Sequence, residues 1–117
     1  MPDAAAPSAD NQQINRLVLT AQLIERGAMR YTPAGVPALD LRLQHESTVS
    51  EDGQPRKVSM EMKAVAIGGI TQALLGLELG TMGHYGGFIT SARNGRGLMF
   101  HITSVEPVEA TASSGSN

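Results

Sequence analysis

The side chains with chemistry to offer in this 117-residue chain are three histidines, nine Lys or Arg residues and eleven carboxylates, and cysteine is absent. Without a thiol there is no disulfide, no thiolate metal site and no cysteine nucleophile, which suits a reducing cytoplasm. His45, His84 and His101 have no second histidine two or four residues away that would present two imidazoles to one ion. No Gly-x-x-x-x-Gly-Lys-Ser/Thr segment is present to cradle a phosphate, and no His-Glu-x-x-His is present to hold zinc. The expectation is a protein with no catalytic residues, no metal and no cofactor.

The cations carry more information. Net charge is −2, but Asp3, Asp10, Glu106 and Glu109 lie outside residues 15–105, and inside them nine basic residues meet seven acidic ones. The folded part is therefore slightly basic and the ends acidic. Arg30, Arg42, Arg56, Lys57, Lys63, Arg93 and Arg96 are candidates for a cationic track along a phosphate backbone. Stacking groups are scarce: of Tyr31, Tyr85, Phe88 and Phe100, only Tyr31, beside Arg30 and a Pro turn, reads as free to stack on a base. Phe88 and Phe100 read as core, Tyr85 as either, and Met60, Met62, Met82 and Met99 as plastic core filler. Binding on such a surface would be electrostatic, salt-sensitive and indifferent to base sequence.

The elements that must position these residues follow from periodicity. Leu17, Leu19, Ala21 and Leu23 alternate with Arg16, Val18, Thr20 and Gln22, a strand with one buried face that can resume at residues 29–31 after Gly27. Thr32-Pro33-Ala34-Gly35-Val36-Pro37 is a turn. Leu39, Leu41 and Leu43 mark a second strand, residues 47–55 a polar flexible loop, and Val58, Met60, Met62 and Ala64 one face of a third strand over residues 58–66. Ile70, Ala73, Leu74 and Leu77 fall at helical spacing between glycines. Residues 82–90 form a fourth strand, curved at Gly83, Gly86 and Gly87, and Arg93-Asn94-Gly95-Arg96-Gly97 a turn into a fifth over residues 98–105. This order predicts an all-β fold, a five-stranded OB-fold barrel with a short helix between strands 3 and 4. Residues 1–13 and 109–117 are small and polar and read as disordered ends flanking one domain over residues 14–108.

The start lacks the basic and apolar regions of a secretory signal, and the longest uncharged stretch, residues 64–77, is 14 residues long. A membrane span needs about 20 apolar residues, so the expectation is a soluble, cytoplasmic protein with no membrane partner. The first strand, with Leu17, Val18 and Thr20, offers an apolar, β-branched edge suited to pairing with its own copy in a homodimer.

Asn15-Arg16-Leu17-Val18-Leu19, the Thr32 to Pro37 turn, Leu41-x-Leu43-x-His45-x-Ser47, Gly87-Phe88-Ile89-Thr90 and Arg93-Asn94-Gly95 resemble the primosomal replication protein N (PriB) family. These are small homodimeric OB-fold relatives of the bacterial single-stranded DNA-binding protein, and the resemblance spans residues 14–105. It implies a non-enzymatic accessory of replication restart that binds single-stranded DNA, associates with the PriA helicase at stalled forks and assists a DnaT-like loading step. Arg30, Arg56 and Arg93 match basic positions of the family. Ser59 and Gln54 stand where well-known members carry aromatics, and Ser91 where they carry a second lysine. These departures keep open an alternative, a protein-interaction adaptor for PriA with weak DNA contact. The resemblance to a strand-coating single-stranded DNA-binding protein stops at the tail, Ser113-Ser114-Gly115-Ser116-Asn117, which lacks that protein's acidic Asp-Ile-Pro-Phe ending.

Overall fold

Alternation of Leu19, Ala21 and Leu23 with outward-facing residues gives the first strand, β1 (Leu17–Arg26), one buried face. The computed structural model describes residues 13–108, so residues 1–12 and 109–117, expected as disordered ends, lie outside the described residues. After Gly27 the chain makes a two-residue strand, β2 (Arg30–Tyr31), which pairs with the next strand rather than extending β1. The turn between them closes through the Thr32 amide on the Val36 carbonyl at 2.9 Å and the Gly35 amide on the Thr32 carbonyl at 2.7 Å. Gly35 sits there at φ +82°, a left-handed conformation that favours glycine.

β3 (Pro37–Glu51) and β4 (Gln54–Ile67) form one continuous antiparallel ladder from Ala38↔Ile67 to Glu51↔Gln54. This corrects the expectation of a loop over residues 47–55. Asp52 and Gly53, at φ +54° and +75°, make a tight two-residue hairpin whose twist matches the strands. The ladder runs on past the barrel as a two-stranded arm, so Arg56 and Lys57 lie on a strand and not in a loop. The faces of β4 are as expected, but Val58 and Met60 project from the arm, and Met60 is exposed instead of filling the core. Met82 is likewise exposed.

A six-residue helix, α1 (Ile70–Leu75), follows. Leu74 is buried, and so is Thr71, whose hydroxyl donates to the Gly68 carbonyl at 2.7 Å; Ala73, expected on the buried face, is exposed. The hydroxyl's local bond removes the cost of turning a polar residue inward. Arg26 reaches from the end of β1 to donate Nη1 to the carbonyl of Leu74 (3.3 Å), which also accepts the Leu77 amide at 3.3 Å, and to that of Leu77 (2.5 Å) just past the helix.

β5 (Met82–Ser91) and β6 (Leu98–Pro107) pair antiparallel, with a bulge between Gly86 and Gly87. Gly87 is obligatory, because a Cβ there would run into the His101 backbone carbonyl. Sheet order is β1-β5-β6-β4-β3-β2, closed by β1 pairing with β3 and by a parallel join of β4 to β6 at Ala64↔Phe100 and Val65↔His101. The result is the closed five-stranded OB-fold barrel with its helix between the third and fourth barrel strands. Its interior holds Leu23, Leu39, Leu43, Leu74, Phe100, Ile102 and Tyr85. Burial pushes the Tyr85 hydroxyl pKa up, and the ring belongs to the core.

Candidate nucleic-acid interface

With Leu39, Leu41, Ala64, Ala66, Phe100 and Ile102 turned into the barrel, the residues between them form its outer wall. Register sets four of them side by side: Asp40 on β3 opposite Val65 on β4, Val65 opposite His101 on β6, and His101 opposite Phe88 on β5. Phe88 is 37% exposed, which corrects its expected place in the core. Its ring lies on that of His101 with centroids 4.7 Å apart and planes 14° from parallel. Period-two alternation contained this: Ile89 packs inward, so Phe88 faces outward, and Phe100 and Ile102 likewise turn His101 out.

Beside the stacked pair is a cavity of about 420 Å³ lined by Val65, His101, Arg30, Asp40, Arg93 and Met99 among others. Arg30 Nε and Nη2 donate to the two Asp40 oxygens at 2.9 and 3.0 Å. These bonds hold the Asp40 carboxyl below the usual carboxylate range against the opposing effect of partial burial, with the Arg30 and Arg93 charges adding to the lowering. The same bonds raise the Arg30 pKa.

The structure brings some of the expected cations together and separates others. Arg30 and Arg93 line the cavity. Lys63 and Arg42 are cross-strand neighbours on the outer wall, and Lys57 continues that face along the arm opposite Thr48. Arg56 pairs with Val49 on the other face of the arm, where it also meets Glu51 at 3.2 Å. Arg42 is held between Glu25 (3.2 Å) and Glu61 (3.4 Å), so much of its charge is answered locally. Among the described residues Lys57, Lys63, Arg93 and Arg96 have no carboxylate at ion-pair distance. Arg96 lies in the loop between β5 and β6, and its amide is fixed by Asn94 Oδ1 at 2.8 Å. Tyr31 is 66% exposed on β2.

The edge residues sit on β1. Residues 17–21 pair with β5 on one side only, while pairing with β3 begins at Gln22↔Gln44. Leu17 is half-buried, Val18 is exposed, and the Thr20 hydroxyl bonds His84 Nδ1 at 2.8 Å. Where the β1 and β3 ladder stops, His45 Nδ1 donates to the Thr20 carbonyl at 2.7 Å, and Nε2 then accepts from the Ser47 hydroxyl at 2.8 Å.

Residues 15–104 match a family model described as "Another single-strand binding protein family". The replication restart protein PriB of Bordetella pertussis is 49% identical over 80 residues, covering 68% of this chain and 75% of that protein. The solved structure of PriB from Ralstonia solanacearum superposes with a TM-score of 0.74 at 38% identity, over 81% of this chain and 98% of that one. The single-stranded DNA binding protein of Thermus aquaticus superposes at 0.67 with 25% identity, over 85% of this chain and 52% of that one. In sequence and in barrel architecture, therefore, the chain belongs to the PriB family of OB-fold proteins related to the single-strand binding proteins.

Proposed function

We propose that this chain binds single-stranded DNA with little regard to sequence and serves as a non-catalytic, cytoplasmic accessory of the replication-restart primosome, recruiting or stimulating the PriA helicase at stalled forks. The observation that carries the DNA reading is a set of cations with no carboxylate partner among the described residues, Arg93 at the cavity and Lys63 and Lys57 along the same outer wall. Arg30, Arg42 and Arg96 flank this track, Tyr31 stands near its start, and Arg56 extends it around the arm. Membership in the PriB family and the likeness to a single-stranded DNA binding protein support the same reading. A homodimer through the free edge of β1, using Leu17, Val18 and Thr20, would double the track. A DnaT-like protein is the further partner that the family resemblance suggests.

Titration of a fluorescent oligo-dT at low and moderate salt, with and without a PriA-type helicase, tests this. Affinity should fall steeply with salt, and Arg93→Ala or Lys63→Ala should flatten the slope by roughly one phosphate contact each. The second reading, a helicase adaptor with weak DNA contact, is favoured by the ion pairs that occupy Arg30, Arg42 and Arg56 and by Ser59 and Gln54 in place of aromatics. A complex with the helicase that forms while the protein alone ignores the oligonucleotide would select it.

A further inference from the structure

Across the outer wall each strand adds one side chain to a single row: Phe88 from β5, His101 from β6, Val65 from β4 and Asp40 from β3. Strands in a sheet lie about 4.8 Å apart, and the Phe88 and His101 centroids are 4.7 Å apart, one ring to each strand. On β4 the row holds the short side chain of Val65, which is 6% exposed and lines the cavity together with Met99. Arg30, whose guanidinium is fixed by both Asp40 oxygens, and Arg93 line the same cavity. We propose that the layer over Val65 is a nucleobase subsite, in which one base stacks as the third ring on His101.

Charge orients the nucleotide. The Asp40 carboxylate repels a phosphate from the depth of the row, so the flat, neutral base enters and its phosphate stays with Arg93. The far face of the base meets the Arg30 guanidinium, a group that stacks well on bases. Stacking uses the π-face that all bases share, so the subsite keeps binding largely independent of sequence. The inference rests on the DNA-binding reading above and deepens it, because it supplies stacking in a chain with two Tyr, two Phe and no Trp.

The test compares oligo-dT with an oligonucleotide of equal length whose residues are abasic, which keeps the phosphates and removes the rings. Wild-type protein should bind oligo-dT more tightly. His101→Ala should lose about five- to 150-fold on oligo-dT, the effect of removing one stacking side chain. That loss should leave the salt slope unchanged and be absent on the abasic strand. Phe88→Leu, conservative at a half-open position, should lose less in the same pattern. Val65→Phe, which fills the layer with a protein ring, should erase the difference between the two strands. Equal binding of both strands by wild-type protein, or a His101→Ala loss that is as large on the abasic strand, would overturn the subsite while leaving DNA binding intact. No binding of oligo-dT by wild-type protein at either salt would overturn the DNA-binding reading itself.

Discussion

Arg30 and Asp40 show how one ion pair does two jobs, pinning β2 near β3 and holding a guanidinium at the cavity. Both side chains are about half exposed, 46% and 58%, so the pair contributes about 0.2–1 kcal/mol after solvent screening. Because the folded protein lowers the Asp40 pKa, this contribution is present above the unfolded carboxyl's pKa of about 3.9. It is lost as pH falls through the lower folded value. Asp40→Asn should therefore lower the midpoint of urea unfolding slightly at pH 7 and hardly at all once acid has protonated the wild-type carboxyl. Arg26 is a different case, since its guanidinium serves two carbonyls in a half-buried setting. Arg26→Ala should cost about 1–3 kcal/mol, read by chemical denaturation, because the Leu77 carbonyl loses its side-chain donor, while Leu74 keeps the Leu77 amide. At this scale sequence reasoning placed Arg30, Arg93 and Tyr31 on the surface but put Phe88 inside. Apolar neighbours suggested core, whereas alternation about Ile89 decides the side.

The β3 and β4 hairpin was half legible. Leu39, Leu41 and Leu43 alternate because a core lies under them, so their strand could be read directly. Residues 47–55 have no core beneath them and both faces are wet, so burial leaves no pattern there, and only Asp52-Gly53 announces the hairpin. A two-stranded ribbon of this kind is marginal alone. Gly53→Ala, which puts a Cβ at φ +75°, should cost about 1–2 kcal/mol locally. Hydrogen exchange should then quicken over residues 46–59 while amides of Leu23 and Phe100 keep their protection. The helix lies between its glycines with Ile70, Leu74 and Leu77 against the core as expected, and only Ala73 gives its place to Thr71, which hides its hydroxyl on Gly68.

For the whole molecule, the order of elements, the turns and the glycine-curved fourth strand were enough to specify the barrel. The joins that close it, β1 to β3 and β4 to β6, are long-range pairings that no local pattern encodes. The proposed dimer belongs to this scale as well. Val18 is 59% exposed on the side of β1 that, among the described residues, pairs with no second strand over residues 17–21. Val18→Lys should leave the fold intact and convert the dimer into a monomer, as measured by light scattering on the eluted protein; a wild-type monomer at the same concentration would refute the arrangement.

The parallel join of β4 to β6 is the shortest seam in the barrel, made at Ala64↔Phe100 and Val65↔His101 between segments far apart along the chain. Only those two pairs offset the closure of the loop between them, so the seam should zip late in folding and breathe first in the native state. Val65 and His101, which sit on its two lips, also line the cavity of the outer wall. A ring held there would rest on both lips at once and act as a latch. Occupancy should then slow the opening of the barrel, and any strain that parts the seam should eject the occupant, so that grip and closure rise and fall together.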